Sequence, residues 1–487
     1  MKTKIPTEVA QTTSRLTEAG FQAYLVGGCV RDLIIGREPK DWDVATDALP
    51  EEIQKVFPDH VYENRFGTVA VKTGSEDPKL KIIEITTFRI EGVYTDHRHP
   101  DEVKFAKTIK EDLARRDFTV NAIAYRPEGA AKGEFVDPWG GEEDISGRVL
   151  RTVGVPEERF TEDALRLVRA VRFSIELDFE LDMNTRRAIE KLAGTLEAIA
   201  KERIRDELIK ILLSPRAAQG IILLEELDLL KFVLPELREG LGVDQNLHHI
   251  YTVFEHSTRA LDYAAKEQYS LLVRLASLLH DIGKPSTKRG QGKTATFYGH
   301  EVVGAKMAIR ALDTLHFPKD FIEQVAHLVR CHMFYYNVGE VTEAGVRRFL
   351  RRVGSEYVDD LMKIREADRI GSGVPKAVPY KSRHLLFMID KVKADPISPK
   401  MLKMNGDDLM ALLRIDPSPK VGQILAILLD EVLKDPSLNT KEYLKGRALE
   451  LYRMTEGEMS GLASTSRERK EEFESGVEEE MKKKHHV

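Results

Sequence analysis

The residues between Gly27 and Asp43 are of the types that bind phosphates and metal ions. Gly27 and Gly28 follow the apolar run AYLV and precede Arg31, and glycine lets backbone N–H groups approach a phosphate closely. Asp41 and Asp43 lie two residues apart in KDWDVAT. On a strand their carboxylates would share one face, and such hard oxygen ligands suit Mg²⁺. Separately, the two features are commonest as a tight connection and a solvated surface pair, but their proximity predicts a site for Mg²⁺ and substrate phosphates.

A second group consists of histidines and aspartates. In LLVRLASLLHDIGKP, His280 and Asp281 end an apolar helical pattern. The further candidate ligands are His256, His300, His332 and Asp368. Imidazoles beside a carboxylate are good ligands for divalent transition metals, whereas a single histidine on an apolar face is usually a core residue. The set predicts a metal site, but its spacing does not decide whether a substrate can enter.

A third pattern lies in TEDALRLVRAVRF. Asp163 and Arg166 are three residues apart, so on one helix they share a face, which Arg169 and Arg172 continue. A solvated helix face with an intrahelical ion pair is the simplest interpretation. The alternative rests on base chemistry, because cytosine and adenine each present an amino donor beside a ring-nitrogen acceptor. Uracil and guanine reverse this pattern, and each buried unsatisfied group costs about 1–3 kcal/mol.

The elements that position these residues change along the chain. Roughly the first 150 residues alternate strand-like segments, such as AYLVGGCV, TVAVK and KIIEITTFRI, with helical periodicity. The pattern from Asp163 to Arg238 is helical almost throughout, and further helical blocks begin near His248 and at Met401. After Thr455 the sequence is charge-dense, which predicts a solvated helix or a disordered tail.

Length and composition limit the function classes. The 487 residues should form several domains, because one core rarely organises more than about 250–300 residues. No apolar run of about 18 residues is present, so we expect no membrane span. The N-terminus lacks a secretory signal, and only two cysteines, Cys29 and Cys331, occur, so we expect a soluble cytoplasmic protein. The net charge of −6 carries little weight, because 74 Lys and Arg can still form basic patches.

Several motifs together resemble those of the class II nucleotidyltransferases, which include CCA-adding enzymes and bacterial poly(A) polymerases. GGCVRD followed by DWDVAT resembles the family's catalytic motif, and the later matches are TTFRIEGVYTDHRHPDEVKF, EDLARRDFTVNAIAY, TEDALRLVRAVRF and KERIRDELIKIL. The resemblance implies an α+β fold, with a polymerase-β-like head of mixed sheet and helices followed by all-helical domains. It also implies that Asp41 and Asp43 bind two Mg²⁺ ions, one lowering the pKa of the RNA 3′-hydroxyl and the other holding the triphosphate.

The resemblance assigns roles to other residues of the head. Glu84 is a candidate third carboxylate, although an outward-facing strand residue is an equal alternative. Arg116 would bind the triphosphate, and Asp117 and Asn121 would contact the ribose or order the site. The segment Tyr94–Pro100 would move in the switch from C to A, or is simply an exposed loop. The expected nucleotide-binding residues are Gly28, Arg31, Arg116, Asp117, Asn121, Asp163, Arg166, Arg169 and Arg172.

The histidine cluster and the C-terminal block resemble two further modules. Residues matching the H…HD…D pattern of the HD phosphohydrolases are His256, His280, Asp281 and Asp368. With His300 and His332 they could form a two-metal site, and an active phosphohydrolase, an inert metal site and a vestigial scaffold all remain open. NGDDLMALL and the segments after it resemble a tRNA-binding tail, in which Lys420 and Lys441 would contact phosphates or merely solubilise the surface.

We therefore predict a CCA-adding tRNA nucleotidyltransferase that uses CTP and ATP and selects bases with Asp163 and Arg166. An A-adding enzyme and a poly(A) polymerase are the alternatives within this chemistry, while the unshortened YTDHRHP segment disfavours a CC-only enzyme. A metal-dependent HD phosphohydrolase with an inactive RNA-binding head is the alternative from another class. We expect tRNA as partner, no membrane, and a monomer or homodimer. The predicted domains are a head (1–150), a neck with the base-recognition helix (151–242), an HD domain (243–380), a tRNA-binding tail (381–455) and a charged tail (456–487).

Overall fold

The computed structural model describes residues 5–63, 67–91, 103–127, 133–246, 250–393 and 401–487. The predicted switch segment Tyr94–Pro100 lies outside these ranges. Packing divides the chain into two compact units, Met1–Met333 with Asp359–Ala377, and Phe334–Val358 with Val378–Val487. Among the described helices, none is both long enough and apolar enough to cross a membrane.

The head is built on a mixed sheet of seven strands in the order β3-β4-β5-β2-β1-β8-β9. Its elements are α1 (Thr7–Glu18), β1 (Ala23–Val26), α2 (Gly28–Ile35), β2 (Asp43–Thr46), α3 (Pro50–Val56), β3 (His60–Glu63), β4 (Thr68–Lys72), β5 (Ile82–Thr87), β6 (Arg89–Glu91), β7 (Val103–Phe105), α4 (Ile109–Ala114), β8 (Ala124–Arg126), β9 (Glu134–Val136) and α5 (Gly141–Gly147). Strands β2 and β5 run parallel, and the other neighbours are antiparallel. The predicted mixed-sheet head is confirmed.

The apolar composition of β1 places it in the middle of this sheet. All four residues of AYLV are buried, as expected for a strand with neighbours on both edges and elements on both faces. Tyr24 and Val26 belong to a core cluster with Phe88 and Leu113, the latter on α4. The turn that follows β1 is therefore fixed by a packed core, which matters because it carries Gly27.

Helices dominate the chain beyond the head, which confirms the predicted all-helical domains. The elements are β10 (Val149–Leu150), α6 (Pro156–Glu162), α7 (Leu165–Leu177), β11 (Glu180–Leu181), α8 (Met183–Leu192), α9 (Lys201–Leu213), α10 (Ala217–Glu226), α11 (Leu230–Val233), α12 (Val253–Lys266), α13 (Leu271–Leu279), α14 (Lys284–Thr287), α15 (His300–Thr314), α16 (Lys319–Cys331), α17 (Glu343–Val353) and α18 (Val358–Gly371). Helices α7 and α9 pack against each other, and Leu167, Val171, Ile204 and Leu208 are fully buried in them.

The second unit contains α17 and five further helices. These are α19 (Tyr380–Lys393), α20 (Gly406–Leu413), α21 (Pro419–Lys434), α22 (Lys441–Tyr452) and α23 (Glu456–His485). The charge-dense C-terminal sequence forms the 30-residue helix α23, which begins at a capping box between Thr455 and Glu458. Its first turns bury Met459 and Ala463 in the core of this unit, so only part of α23 is a solvated helix.

Candidate active site and metal centre

Three carboxylates lie close to one another at the edge of β2 and β5. Asp43 begins β2, and the parallel register pairs it with Glu84 on β5. Asp41 is exposed and lies in a bend two residues before β2, so the predicted extended segment holds for Asp43 but not for Asp41. Burial and the negative charges of Asp41 and Glu84 raise the pKa of Asp43 to about 6, against the opposing effect of Arg116.

This group of oxygen atoms fits a divalent cation. A carboxyl whose pKa is raised by neighbouring carboxylates is stabilised in its charged form when a cation joins the site. Within the described residues, sets of three ligand atoms that all lie within 4.8 Å of one another occur only around the histidines, so these head carboxylates are more widely spaced. That spacing is compatible with Mg²⁺, which is usually held by one or two carboxylates together with substrate phosphates.

The Gly27 turn brings positive charge to the same place. Gly27 has φ 76° and ψ −135°, a conformation that residues with a side chain rarely adopt. A Cβ at this position would lie 2.9 Å from Nη1 of Arg116 and 3.7 Å from Oδ2 of Asp43. Glycine is therefore favoured by its backbone angles, and the turn at the start of α2 adjoins both a guanidinium and a carboxylate.

A chain of polar contacts joins four of the predicted nucleotide-binding residues. Nη1 of Arg31 donates to Oδ1 of Asn121 at 2.7 Å, and Nδ2 of Asn121 donates to Oδ1 of Asp117 at 3.3 Å. Arg169 donates through Nε and Nη2 to Oδ2 of Asp117, at 3.0 and 2.6 Å. Burial alone would raise the pKa of Asp117, but Arg169 and Arg166 outweigh it and hold this pKa well below its usual range. Asp117 is thus a buried, ionised anchor for the arginines around it.

Arg172 joins that chain of contacts only indirectly, through Glu207, which also lies 3.8 Å from Nη1 of Arg169. Nε of Arg172 is 3.0 Å from Oε2 of Glu207 on α9, and its guanidinium lies 4.1 Å from the centre of the Phe173 ring. Both Arg172 and Glu207 are buried. In the described structure Arg172 therefore supports the packing of α7 on α9.

The expectation that Asp163 and Arg166 share one helix face is wrong. Asp163 lies between α6 and α7 with φ −141° and ψ 102°, and its Oδ1 accepts the backbone N–H of Leu165 at 3.0 Å. Aspartate favours such positions because its carboxylate competes for nearby backbone donors. Nor do the two residues form the intrahelical ion pair of the simple interpretation, since Arg166 binds Glu162 at 2.6 Å and Asp163 binds Arg203 at 2.8 Å.

Both residues keep hydrogen-bonding capacity despite these partners. Within the described part of the chain, Nη1 of Arg166 donates to Glu162 and to the carbonyl of Arg159, and Nη2 donates to the carbonyl of Arg115. A guanidinium has five N–H groups, so donors remain on Nε and Nη2. A carboxylate has about four acceptor positions, and Asp163 uses three of them, for Leu165 and for two bonds from Arg203.

The histidines form a compact centre around Asp281. One set of ligand atoms comes from His256, His280 and Asp368, and a second set from Asp281, His300 and His332. The Asp281 carboxylate lies between the two sets. Its Oδ2 is 3.1 Å from Nε2 of both His256 and His280, and its Oδ1 lies 3.2 Å from Nε2 of His300 and 3.6 Å from Nε2 of His332.

The backbone fixes how three of these imidazoles are oriented. Nδ1 of His280, His300 and His332 lies 2.7 Å from the carbonyl oxygen of Ser277, Phe297 and Val329, respectively. A neutral imidazole that donates from Nδ1 keeps its lone pair on Nε2, which here points into the centre. Burial would lower the pKa of His280, but Asp281 and Asp368 raise it to about 10. The centre therefore attracts positive charge, as a metal site should.

Close backbone packing keeps His300 near Asp281. A Cβ on Gly283 would lie 2.3 Å from the carbonyl oxygen of His300 and 2.6 Å from the nitrogen of Gly304. Only glycine lets the turn after Asp281 approach the start of α15 so closely. The HDIG sequence thus brings His300 beside Asp281.

Within the described residues, a cavity of about 550 Å³ is lined by residues of this centre. Ligands that line it include Asp281, His300, His332 and Asp368. Lys284, Arg365 and Arg369 add positive charge to the wall. Lys284 is buried and lies 2.5 Å from Oδ2 of Asp281 and 2.6 Å from Oε1 of Gln245.

Sequence inspection missed Glu162, Arg203, Glu207 and Lys284. Each lies in one of the motifs quoted above, namely TEDALRLVRAVRF, KERIRDELIKIL or HDIGKP. Their charges were visible, but their partners lie up to 40 residues away along the chain, as for Arg203 and Asp163. Of the two predicted tail lysines, Lys420 lies 4.4 Å from the centre of the Tyr452 ring, and Lys441 is exposed at the start of α22.

Comparison with known proteins agrees with the fold, which is that of a nucleotidyltransferase. Family models match a poly(A) polymerase head domain at residues 23–151, a probable RNA- and SrmB-binding site of polymerase A at 178–241, and an HD domain at 248–371. The A-adding tRNA nucleotidyltransferase of Deinococcus radiodurans is 37% identical over 419 residues, 83% of this chain and 90% of the relative. The chain belongs to the family of tRNA nucleotidyltransferases and poly(A) polymerases.

Other relatives have different nucleotide specificities. The CC-adding tRNA nucleotidyltransferase of Thermus thermophilus is 35% identical over 88% of this chain and 93% of its own length. The CCA-adding enzyme of Bacillus cytotoxicus is 33% identical over 88% of this chain and 95% of its own length. A crystal structure of the Bacillus stearothermophilus CCA-adding enzyme in complex with CTP aligns with a TM-score of 0.58 and 29% identity, over 93% of this chain and 98% of that chain. The family thus establishes nucleotidyl transfer to tRNA 3′ ends, and the choice of nucleotide needs its own argument.

Proposed function

We propose that this chain adds C-C-A to the 3′ end of tRNA from CTP and ATP. The observation that carries this proposal is the acidic group of Asp41, Asp43 and Glu84 beside the Gly27 turn and Arg116. An enzyme that joins a nucleoside triphosphate to RNA needs negative ligands for metal ions and positive charge for the triphosphate, and these features lie together here.

The residues of the head then take distinct roles. Asp41, Asp43 and Glu84 would hold Mg²⁺, which lowers the pKa of an attacking hydroxyl and stabilises the charge of the leaving pyrophosphate. Arg116 is placed to bind the triphosphate, and the Gly27–Gly28 backbone to approach it. Asp117 orients Arg169 through two hydrogen bonds and orders the wall of the site.

Base choice is assigned to Asp163 and Arg166. The remaining acceptor position of Asp163 suits the amino group of cytosine or adenine, and the remaining N–H groups of Arg166 suit the adjacent ring nitrogen. Uracil or guanine would place a carbonyl against the carboxylate and an N–H against the guanidinium. Because each buried unsatisfied group costs about 1–3 kcal/mol, one pair of residues can reject both wrong bases.

Complete C-C-A addition is favoured over addition of C alone, and A-only addition, which needs the same Asp163 and Arg166, stays the alternative. Relatives with all three specificities are 33–37% identical to this chain, so similarity does not choose among them. Asp163 and Arg166 suit both bases. The YTDHRHP segment has the length expected of an enzyme that switches from C to A, which disfavours a CC-adding enzyme.

The deciding experiment uses three radiolabelled tRNA transcripts that end before CCA, after C and after CC. Each is incubated with the purified protein, Mg²⁺ and CTP, ATP or both. We expect the first transcript to grow stepwise to CCA and then stop. Extension of only the CC-ended transcript, by one A, would instead make this an A-adding enzyme, and continued addition of A would make it a poly(A) polymerase.

We also propose that the HD centre is an active metal-dependent phosphohydrolase. The observation that favours turnover is the cavity, which connects the ligands to solvent and carries Lys284, Arg365 and Arg369 on its wall. These cations would bind a phosphate group, while the histidines and aspartates would hold divalent metal ions, which generate a nucleophile from water at neutral pH. The test is hydrolysis of p-nitrophenyl phosphate and bis(p-nitrophenyl) phosphate with Mg²⁺, Mn²⁺ or Ni²⁺. An absence of turnover with every metal would leave an inert site.

A further inference from the structure

The two proposed base-reading residues are kept apart by other charges. Asp163 and Arg166 carry opposite charges and lie three residues apart, yet among the described residues no ion pair joins them. Instead Arg203 on α9 donates to both oxygens of Asp163, from Nη1 to Oδ1 at 3.2 Å and from Nη2 to Oδ2 at 2.8 Å. Arg166 is held by Glu162 at 2.6 Å. Asp163 and Arg166 therefore each have their own counter-ion.

The contact with Arg203 determines the orientation of the carboxylate. A planar guanidinium that donates two parallel bonds fixes both the distance and the plane of its partner, which a single-point charge does not. The Asp163 and Arg203 side chains are only 16% and 26% exposed, so water screens this pair weakly. Arg203 is anchored in turn, because the next residue, Ile204, is fully buried where α9 packs on α7.

We propose that Arg203 is a positioning residue for base selection, holding Asp163 as a fixed acceptor and preventing its collapse onto Arg166. This inference rests on the proposed roles of Asp163 and Arg166 in reading the base. Asp163 lies between α6 and α7, so helical backbone hydrogen bonding does not fix its position. Arg203 supplies from another helix the rigidity that base reading needs.

Loss of Arg203 has a defined consequence. The freed carboxylate would turn toward another cation of α7, where Arg169 already interacts electrostatically with Asp163 and Arg166 lies three residues away along the chain. An ion pair between Asp163 and Arg166 would occupy the acceptor and the donors that cytosine and adenine require. Discrimination against UTP and GTP should then fall, and KM for CTP and ATP should rise, more than kcat changes.

The chain offers a matched control on the same helix. The Arg205 side chain is 21% exposed, close to the value for Arg203, but its guanidinium binds the neighbouring Asp206 and the carbonyl of His316. Arg205→Gln removes the same charge and a similar number of bonds without touching Asp163. General damage to α9 should affect both variants. A change in base choice should appear only in Arg203→Gln.

The experiment compares Arg203→Gln, Arg203→Lys and Arg205→Gln in the full chain. The ratio of kcat/KM for CTP over UTP is measured with a tRNA lacking CCA, and that for ATP over GTP with a CC-ended tRNA. We expect Arg203→Gln to lower both ratios by about 10-fold or more, as loss of one buried polar match predicts. Arg203→Lys, which keeps the charge but not the two-point contact, should lie between Arg203→Gln and the unmodified chain, and Arg205→Gln should match the unmodified chain.

Unchanged ratios in Arg203→Gln, with a melting temperature equal to that of Arg205→Gln, would overturn the proposal. If Arg203→Gln does not fold, Arg203→Lys carries the test, and unchanged ratios there would also overturn it. Asp163→Asn separates this result from failure of the proposed function. If Asp163→Asn leaves both ratios intact, Asp163 does not read bases at all, whereas altered ratios in Asp163→Asn alone would refute only the role of Arg203.

Discussion

The head and the HD centre both gather acidic groups, but they do so to different degrees. In the HD centre six candidate ligands converge, from helices α12, α15 and α18 and from the residues directly after α13 and α16. All six are buried or half-buried, and the ligand atoms of each set of three lie within 4.8 Å of one another. In the head, Asp41 and Glu84 are exposed, and the described carboxylates do not reach that proximity. We therefore expect the HD residues to hold a metal ion without a substrate, and the head carboxylates to need substrate phosphates to complete the coordination.

The basic residues of the two regions also have different partners. In the HD centre Lys284 contacts Asp281 directly and also lines the cavity. In the head the arginines form a network of their own, in which Arg169 binds Asp117 and Arg203 binds Asp163. Under the proposed function, a nucleotide would meet side chains already oriented by ion pairs, and their remaining hydrogen-bonding capacity would decide which base is accepted.

Removing the head carboxylates should produce the largest effect. In Asp41→Ala with Asp43→Ala, nucleotide incorporation into tRNA should fall by about 10³-fold or more, because bound metal contributes several kcal/mol. HD phosphohydrolase activity of the same preparation should persist and is the internal control. Incorporation that survives would show that the head is not the transferase site.

The reciprocal variant tests the other region. His280→Ala with Asp281→Ala removes one ligand from each set, so bound transition metal should be lost and phosphohydrolase activity should fall by about 100-fold or more. Elemental analysis and hydrolysis assays measure the two effects, and tRNA extension should stay near its original rate. Full phosphohydrolase activity in this variant would refute the assignment of the HD centre.

The ionic network of the head should give an intermediate effect. Asp117→Asn removes the charge that holds half-buried Arg169, so KM for both CTP and ATP should rise by about 10-fold, as loss of a charge-assisted pair predicts. Asp144→Asn is a suitable control, because Asp144 is another buried head carboxylate paired with an arginine, Arg151. Equal kinetic changes in the two variants would mean that Asp117 has only a structural role.

The smallest effect is expected outside both regions. Lys420→Ala with Lys441→Ala should change KM for tRNA by about 2-fold or less, because Lys441 is exposed and half-buried Lys420 packs on Tyr452. Fluorescence anisotropy with labelled tRNA at two salt concentrations measures the change directly. A loss of 10-fold or more, together with a shallower salt dependence, would instead place a phosphate contact in the second unit.

Much of the architecture was predictable from local patterns. The alternation of strands and helices indicated the head, and the apolar spacing of ALRLVRAVRF and ERIRDELIKILL indicated α7 and α9. The histidines and aspartates of the HD centre were identifiable because their residue types are suited to metals. The bend at Asp41 and the break between α6 and α7 at Asp163 were not predicted, since an aspartate that accepts a backbone N–H can interrupt a helix whose periodicity continues.

The sequence by itself determined the chemistry available to this protein: which carboxylates, imidazoles and guanidiniums exist, and the order in which the motifs occur. Only the tertiary structure decided which of them pair. Asp281 lies between two ligand sets because α12, α13, α15, α16 and α18 pack around it, and Asp163 binds Arg203 rather than Arg166 because α9 lies against α7. Charge and periodicity are local properties of a chain, whereas an ion pair depends on distance in space, which is set by the burial of apolar residues elsewhere.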